Sequence, residues 1–198
     1  MQRRRVSLIF LFIVGMLQIH WATATASSDA FPSRKTYENQ EYRLFALATL
    51  DVTIFAFEVY KVGIYSALPR ENLEKTENFT QPIFVQIKFS REIEKEKLAK
   101  SWVSDLKKAC QKNCIPILDE AKIIANALQD VKENDLFIYH LAKDKVTIKH
   151  NDRLVGELKS EFSSKAVLNA FVGDGAPSDL REDLLKDALE RRGTNPKK

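Results

Sequence analysis

The chain has 198 residues, 44% of them hydrophobic, 10% aromatic and 29% charged, the make-up of an ordinary globular protein. With 6 Gly, 6 Pro and no biased tract, collagen-like, mucin-like and wholly disordered chains are excluded, and the length fits one domain or at most two small ones. The net charge of +4 is no sign of nucleic-acid binding: without Arg3, Arg4 and Arg5 it falls to +1, and phosphate tracking needs clustered Lys and Arg.

Residues 1–26 have the pattern of an export signal. Met1–Arg5 carries the charge, Val6–Leu17 is apolar apart from Ser7 and Gly15, and Ala22-Thr23-Ala24-Thr25-Ala26 offers small residues in A-x-A spacing. Cleavage is expected after Ala26, with Ala24 as the second site. An uncleaved anchor is the alternative, but an apolar run of about 12 residues is short of the roughly 20 that span a bilayer. No second long apolar run follows, so no membrane span is expected after cleavage, and the compartment is periplasmic or extracellular.

Ser27–Glu41 is polar and without period, and reads as a flexible lead-in. Tyr42–Leu50 and Asp51–Leu68 are rich in Val, Ile, Phe and Tyr. In the second, Ile54, Ala56, Glu58, Tyr60 and Val62 alternate with Phe55, Phe57, Val59 and Lys61. Two largely apolar faces mean a central strand, covered on both sides or lining an apolar cavity. After the polar stretch Pro69–Thr80 comes a third strand, Pro82–Ser90, with Phe84, Gln86 and Lys88 on one side and Ile83, Val85, Ile87 and Phe89 on the other.

The period then changes. Ile93, Leu98, Trp102, Leu106 and Ala109 mark a helix within Arg91–Asn113. Asn113 suits a left-handed helix end, and Pro116 the first turn of a second helix, Ile115–Leu128. Three short strands follow, Leu136–Leu141, Val146–Lys149 and Leu154–Leu158, joined by tight turns as in a meander. Two helices, Glu161–Val172 and Asp179–Arg192, precede a tail at 193–198. Strands and helices are segregated, which points to an α+β fold: an antiparallel sheet with helices on one face.

Cys110 and Cys114 have no His nearby to complete a zinc site, and their spacing is not that of a C-x2-C redox centre. In an exported chain a structural disulfide is the plain reading, since helical residues four apart lie within bridging range. No phosphate-binding glycine loop, H-E-x-x-H or G-x-S-x-G occurs, and no cofactor or metal is called for. His140 and His150 read as strand histidines, solvated or hydrogen-bonded. Asn78-Phe79-Thr80 is a glycosylation sequon if the source is a eukaryote. The aromatics Tyr60, Tyr65, Phe84, Trp102 and Phe171 read singly as core, and as a group could line an apolar pocket.

Three stretches carry a family resemblance. Phe57-Glu58-Val59-Tyr60-Lys61-Val62-Gly63-Ile64-Tyr65 resembles the F-x-V-Y-x-x-x-L-Y strand of bacterial chalcone-isomerase-like proteins. Val146–Leu158, with Gly156 near its end, is similar to their V-x-V-x-x-N-G-x-x-x-G hairpin. Phe171-Val172-Gly173-Asp174-Gly175-Ala176-Pro177, followed by Leu180, Leu184 and Leu185, resembles their W-L-G-D-x-P-x-x-x-x-L-x-x-x-L ending. Order and spacing agree over Leu44–Leu189. The resemblance implies an open-faced β-sandwich, a large antiparallel sheet under helices, with the domain at 42–192.

The plant enzymes of that superfamily close a flavanone ring with an Arg, a Thr, a Tyr and an Asn. The corresponding positions here fall at Ala48–Asp51, Tyr60, Glu94 and Ser101, and none matches. Without a fixed cation a phenolate would go unstabilised, so the fold carries over and the activity does not. The expected function is non-catalytic binding of a small apolar or carboxylate-bearing ligand, such as a fatty acid, in the sheet–helix cleft. Tyr60, Tyr65 and Trp102 are the expected lining and Lys61 or Lys88 the expected anchor. The rivals are an isomerase with a rearranged site and an interaction protein with a filled core.

Overall fold

The computed structural model describes residues 30–52, 57–67, 82–143 and 145–193. The expected export signal and the expected sequon at Asn78 lie outside them. Among the described residues seven antiparallel strands form one sheet in chain order: β1 Arg34–Tyr37, β2 Gln40–Val52, β3 Phe57–Ser66, β4 Ile83–Phe89, β5 Leu136–Leu141, β6 Val146–His150 and β7 Arg153–Leu158. The helices are α1 Lys95–Ala109, α2 Cys114–Ala127, α3 Ser163–Val172 and α4 Ser178–Gly193. The α+β expectation therefore holds: a large antiparallel meander covered by helices. Among the described residues no helix is long and apolar enough to cross a membrane.

The turns follow from local chemistry. Glu38 and Asn39, both at positive φ, join β1 to β2 as a two-residue hairpin turn of the kind that matches strand twist. Asn151, also at positive φ, joins β6 to β7. Its side chain accepts from Leu136 N–H at 2.8 Å and donates to Asp135 at 3.0 Å. Asp135 Oδ2 takes Lys132 N–H and pairs with His150 Nε2 at 2.8 Å. One carboxylate thus ties the entry of β5 to the end of β6.

Alternation divides the sheet into two faces. Val62, Ile64, Ile83, Val85, Ile87, Phe89, Phe137, Tyr139 and Ile148 belong to the large core under the helices. Tyr42, Tyr65 and Phe84 belong to a second cluster on the other face, closed by Phe31. Gly63 lets Phe31 lie there, since a Cβ would stand 2.6 Å from its ring. Gln86, buried on that face, accepts from Lys35 Nζ and donates to the Ala30 carbonyl at 2.6 Å.

Three sequence boundaries are corrected. The lead-in Ser27–Glu41 contains an ordered strand, β1, and a buried ring, Phe31. Its polar sequence reflects an edge strand, half open to water. The break expected at Leu50/Asp51 is a register shift inside the β2–β3 pairing, and β2 continues to Val52. The first helix begins at Lys95, four residues later than expected, because Ile93 pairs with Val131 as a β-bridge.

The disulfide joins Cys110 to Cys114 with Cα atoms 5.7 Å apart. It does not lie within one helix. Cys110 is extended at the end of α1, Asn113 is left-handed, and Cys114 opens α2. The bond fixes the corner between the two helices.

Candidate functional site

The helices do not all rest on the strands. α2 packs on β7, α3 on β5 and β6, and α4 along β2, whereas α1 packs on α2 and α3. α1 is a roof held up by other helices, with space beneath it. Its entry is pinned by the Ile93–Val131 pair, with both hydrogen bonds at 3.0 Å, and by Asp130, which accepts from Lys95 N–H at 2.9 Å. Its exit is pinned by the disulfide and by Gly175, where a Cβ would stand 2.7 Å from Ala109 N.

Under the roof lies a cavity of about 810 Å³, within the size range of small-molecule sites. Its floor is Tyr60, Ile87, Phe89, Phe137, Tyr139 and Ile148, and its roof the α1 stripe Leu98, Ser101, Trp102 and Asp105. Aromatic edges set the floor: Tyr60 meets Phe89 at 6.0 Å, Phe89 meets Phe137 at 5.6 Å and Tyr139 meets Phe171 at 6.0 Å. Val59 also reaches the cavity. Leu50 pairs with Tyr60 and Asp51 with Glu58, so Val59 is the extra residue of a bulge that aims it inward.

The rim is charged and exposed: Arg91, Glu92, Glu94 and Lys97. Lys97 is paired with Glu94 at 3.0 Å. Inside, burial pushes the Tyr60 phenol well above its ordinary value, and the Asp105 charge adds to this. Burial does the same to Tyr139, followed by the neighbouring Tyr60, while a hydrogen bond from the Trp102 indole opposes it. Both phenols therefore remain protonated donors at neutral pH.

Of the five residues expected at the site, the structure brings two together. Tyr60 and Trp102 face each other across the cavity. Tyr65 is fully buried on the opposite face of the sheet, beside Phe84. Lys61 and Lys88 are register partners on β3 and β4 and point to that same outer face, Lys61 ion-paired with Glu58 at 3.7 Å. They cannot anchor a ligand in the cavity, since neighbouring strand residues face opposite ways. The cations that do line it, Arg91 and Lys97, come from the entry to α1 and from its first turn.

Arg91, Asp105 and Tyr139 were not among the expected site residues. Asp105 shares a helical stripe with Leu98, Ser101 and Trp102, and Tyr139 alternates with Phe137, so periodicity carried a signal for both. His140 and His150 stand on opposite faces: His140 contacts Tyr42, and His150 stacks on Phe137 at 4.7 Å and pairs with Asp135. Among the described residues no three His, Cys, Asp or Glu side chains are grouped as metal ligands.

The positions implied by the family resemblance converge on this space, since Leu50, Tyr60, Glu94 and Ser101 all line it. A model of the chalcone isomerase-like family matches residues 24–186. The chain belongs to the chalcone isomerase-like family. No curated protein matches it. Among solved structures it is similar to an Arabidopsis thaliana fatty-acid binding protein, with 14% identity and a TM-score of 0.64, over 81% of this chain and 93% of that one. At that identity the likeness shows the fold: a chalcone isomerase-like sheet and its helices in both molecules.

Proposed function

We propose that this family member is a bacterial, exported, non-catalytic binding protein that holds a small apolar or carboxylate-bearing molecule beneath α1. The observation that carries the reading is the cavity of about 810 Å³, floored by aromatic and aliphatic side chains. Apolar walls favour apolar occupants in proportion to the area removed from water. A cavity of that size speaks against the filled-core alternative. The family's fatty-acid binding neighbour adds support. Against catalysis stands the chemistry at the implied positions: Leu50, Tyr60, Glu94 and Ser101 offer no cation to a phenolate.

Native mass spectrometry of protein purified from its producing cells tests the reading. A co-purifying ligand of a few hundred daltons is the expected result, with the chain starting at Ser27. A chain free of ligand that also binds no apolar probe overturns the binding reading. Cyclisation of a chalcone more than about a hundredfold above background, roughly 2.7 kcal/mol of barrier, overturns the non-catalytic one.

A further inference from the structure

The cavity runs along α1. Glu94, Lys97, Ser101 and Asp105 recur turn by turn on the helix and all line it, so its rim follows the helix axis for roughly 15 Å, the length of about ten helical residues. The charges along that rim are mostly spent. At the far end Asp105 is matched by Lys108 at 3.2 Å. At the near end Lys97 is matched by Glu94 at 3.0 Å. Arg91 is left: among the described residues it is the one cation lining the cavity that has no ion pair. Ser90 N–H donates to the Val59 carbonyl at 3.0 Å, so the chain leaves β4 at the level of Val59. Arg91 therefore stands at the end of the sheet where Leu50 and Val59 line the same space. Glu92, next in sequence, is exposed and makes no ion pair with it, so the donors of the guanidinium stay available. The deeper walls, among them Ile124, Phe137, Ile148 and Phe171, are apolar, and an ionised carboxylate pressed against them without a cation would lose its hydration uncompensated.

We propose that Arg91 anchors the carboxylate of an aliphatic ligand, which lies along α1 with its charged end at the start of the helix and its tail toward Leu106 and Phe171. The inference rests on the ligand-binding reading and deepens it, naming the residue that holds the head group and the direction in which the ligand points. It also departs from what the family resemblance implies. The cation of the plant enzymes corresponds to Ala48–Asp51 on β2, where there is none, whereas this one enters from the link between β4 and α1. A guanidinium suits the task, since its planar fork takes both oxygens of a carboxylate at once. At an exposed rim the head group keeps part of its hydration, so the contact does not require a charge to be buried.

The test displaces the neutral probe N-phenyl-1-naphthylamine from the full chain with decanoate, 1-decanol or decylammonium at pH 7.5. Arg91→Gln should weaken decanoate about three- to fivefold in low salt, the upper range for an exposed ion pair, and by less in high salt, where such a pair is screened. Decanol and the probe itself should bind as before. Arg91→Glu should weaken decanoate further and tighten decylammonium, because the charged end of either ligand lies beside residue 91. Lys88→Gln, on the outer face, should change none of these affinities. Decanoate indifferent to both Arg91 variants, decanol weakened as much as decanoate, or Lys88→Gln acting like Arg91→Gln overturns the anchor while leaving the cavity a binding site. So does a wild-type protein that yields the probe to decanol but not to decanoate. A wild-type protein that never takes up the probe defeats the binding reading itself, and this inference with it.

Discussion

On the outer face of the sheet Tyr42, Tyr65 and Phe84 are closed over by Phe31. On the inner face, one residue along the same strands, Tyr60 and Phe89 look into about 810 Å³ of space. The side chains are alike in kind, so composition does not decide which face is filled. What covers each face does. The outer cluster is covered by the segment entering β1, laid directly on the strands where Gly63 admits a ring. The inner face is covered by helices, and α1 leans on α2 and α3 rather than on the floor. A roof fixed at both ends by backbone bonds and a disulfide need not collapse between them.

The strongest way to break this comparison is to hollow the filled side. Phe84 is 1% exposed and touches Tyr37, Tyr42, Tyr65 and His140. Phe84→Ala should destabilise the protein by about 3–5 kcal/mol, the usual cost of removing a packed phenyl ring. Probe binding in the cavity should survive, measured below the melting transition. A loss below about 1 kcal/mol in urea unfolding would show that the outer cluster is no better packed than the inner one.

Next in size is the corner that holds the roof. The Cys110–Cys114 ring is short, and the chain-entropy estimate for a loop of five residues is about 2 kcal/mol. The C110A/C114A protein should therefore fold, lose about that much stability, and bind apolar probes more weakly as α1 loosens. Unchanged binding would mean that the Ile93–Val131 bridge and the Gly175 contact suffice to hold the roof.

How much of this was legible depends on the face. The strands and hairpins were readable because alternation in Ile83–Phe89 and Leu136–Leu141 is a strong local signal. β1 was not, because an edge strand of Arg, Lys, Thr and Tyr carries no apolar period, although Glu38-Asn39 marked its turn. The site was half legible. Tyr60 and Trp102 lie in the cavity, but Lys61 and Lys88 were attached to it against their own parity. A sheet–helix cleft was expected, but that α1 forms its roof had no sequence signal, since this arises from which elements α1 rests on. Gly175 shows the same limit: its need for close approach to Ala109 is a tertiary fact.

A smaller effect sharpens the contrast from the open side. Ala170 lines the cavity from α3. Ala170→Phe projects a ring into existing space, so stability should change by no more than about 1 kcal/mol, while probe affinity falls by at least about tenfold. The same added ring on the outer face, at Gly63, would strike Phe31 and disrupt the fold. If Ala170→Phe is as damaging as Gly63→Phe, the cavity is not available space and the two faces do not differ as described.

The smallest expected effect is a pH dependence that asks whether the cavity is dry. Burial holds Tyr60 and Tyr139 above the ordinary tyrosine range, Asp105 adding to the first and Tyr60 to the second. A raised folded-state value means that the protonated phenols stabilise the fold fully below the unfolded value near 10, and that this contribution is lost as pH rises beyond it. Absorbance at 295 nm should accordingly show fewer than the chain's five tyrosines ionising near pH 10 while circular dichroism remains native. The missing signal should appear only with unfolding. Tyr60→Phe and Tyr139→Phe should each remove part of that delayed step. Tyr42 on the outer face is also held up, by burial and then by Glu38, so the two inner variants are needed to separate the faces. If Tyr60 instead ionises near pH 10 in the native protein, water reaches the floor freely. The cavity would then be an open groove, and the apolar selectivity argued from its walls would fall.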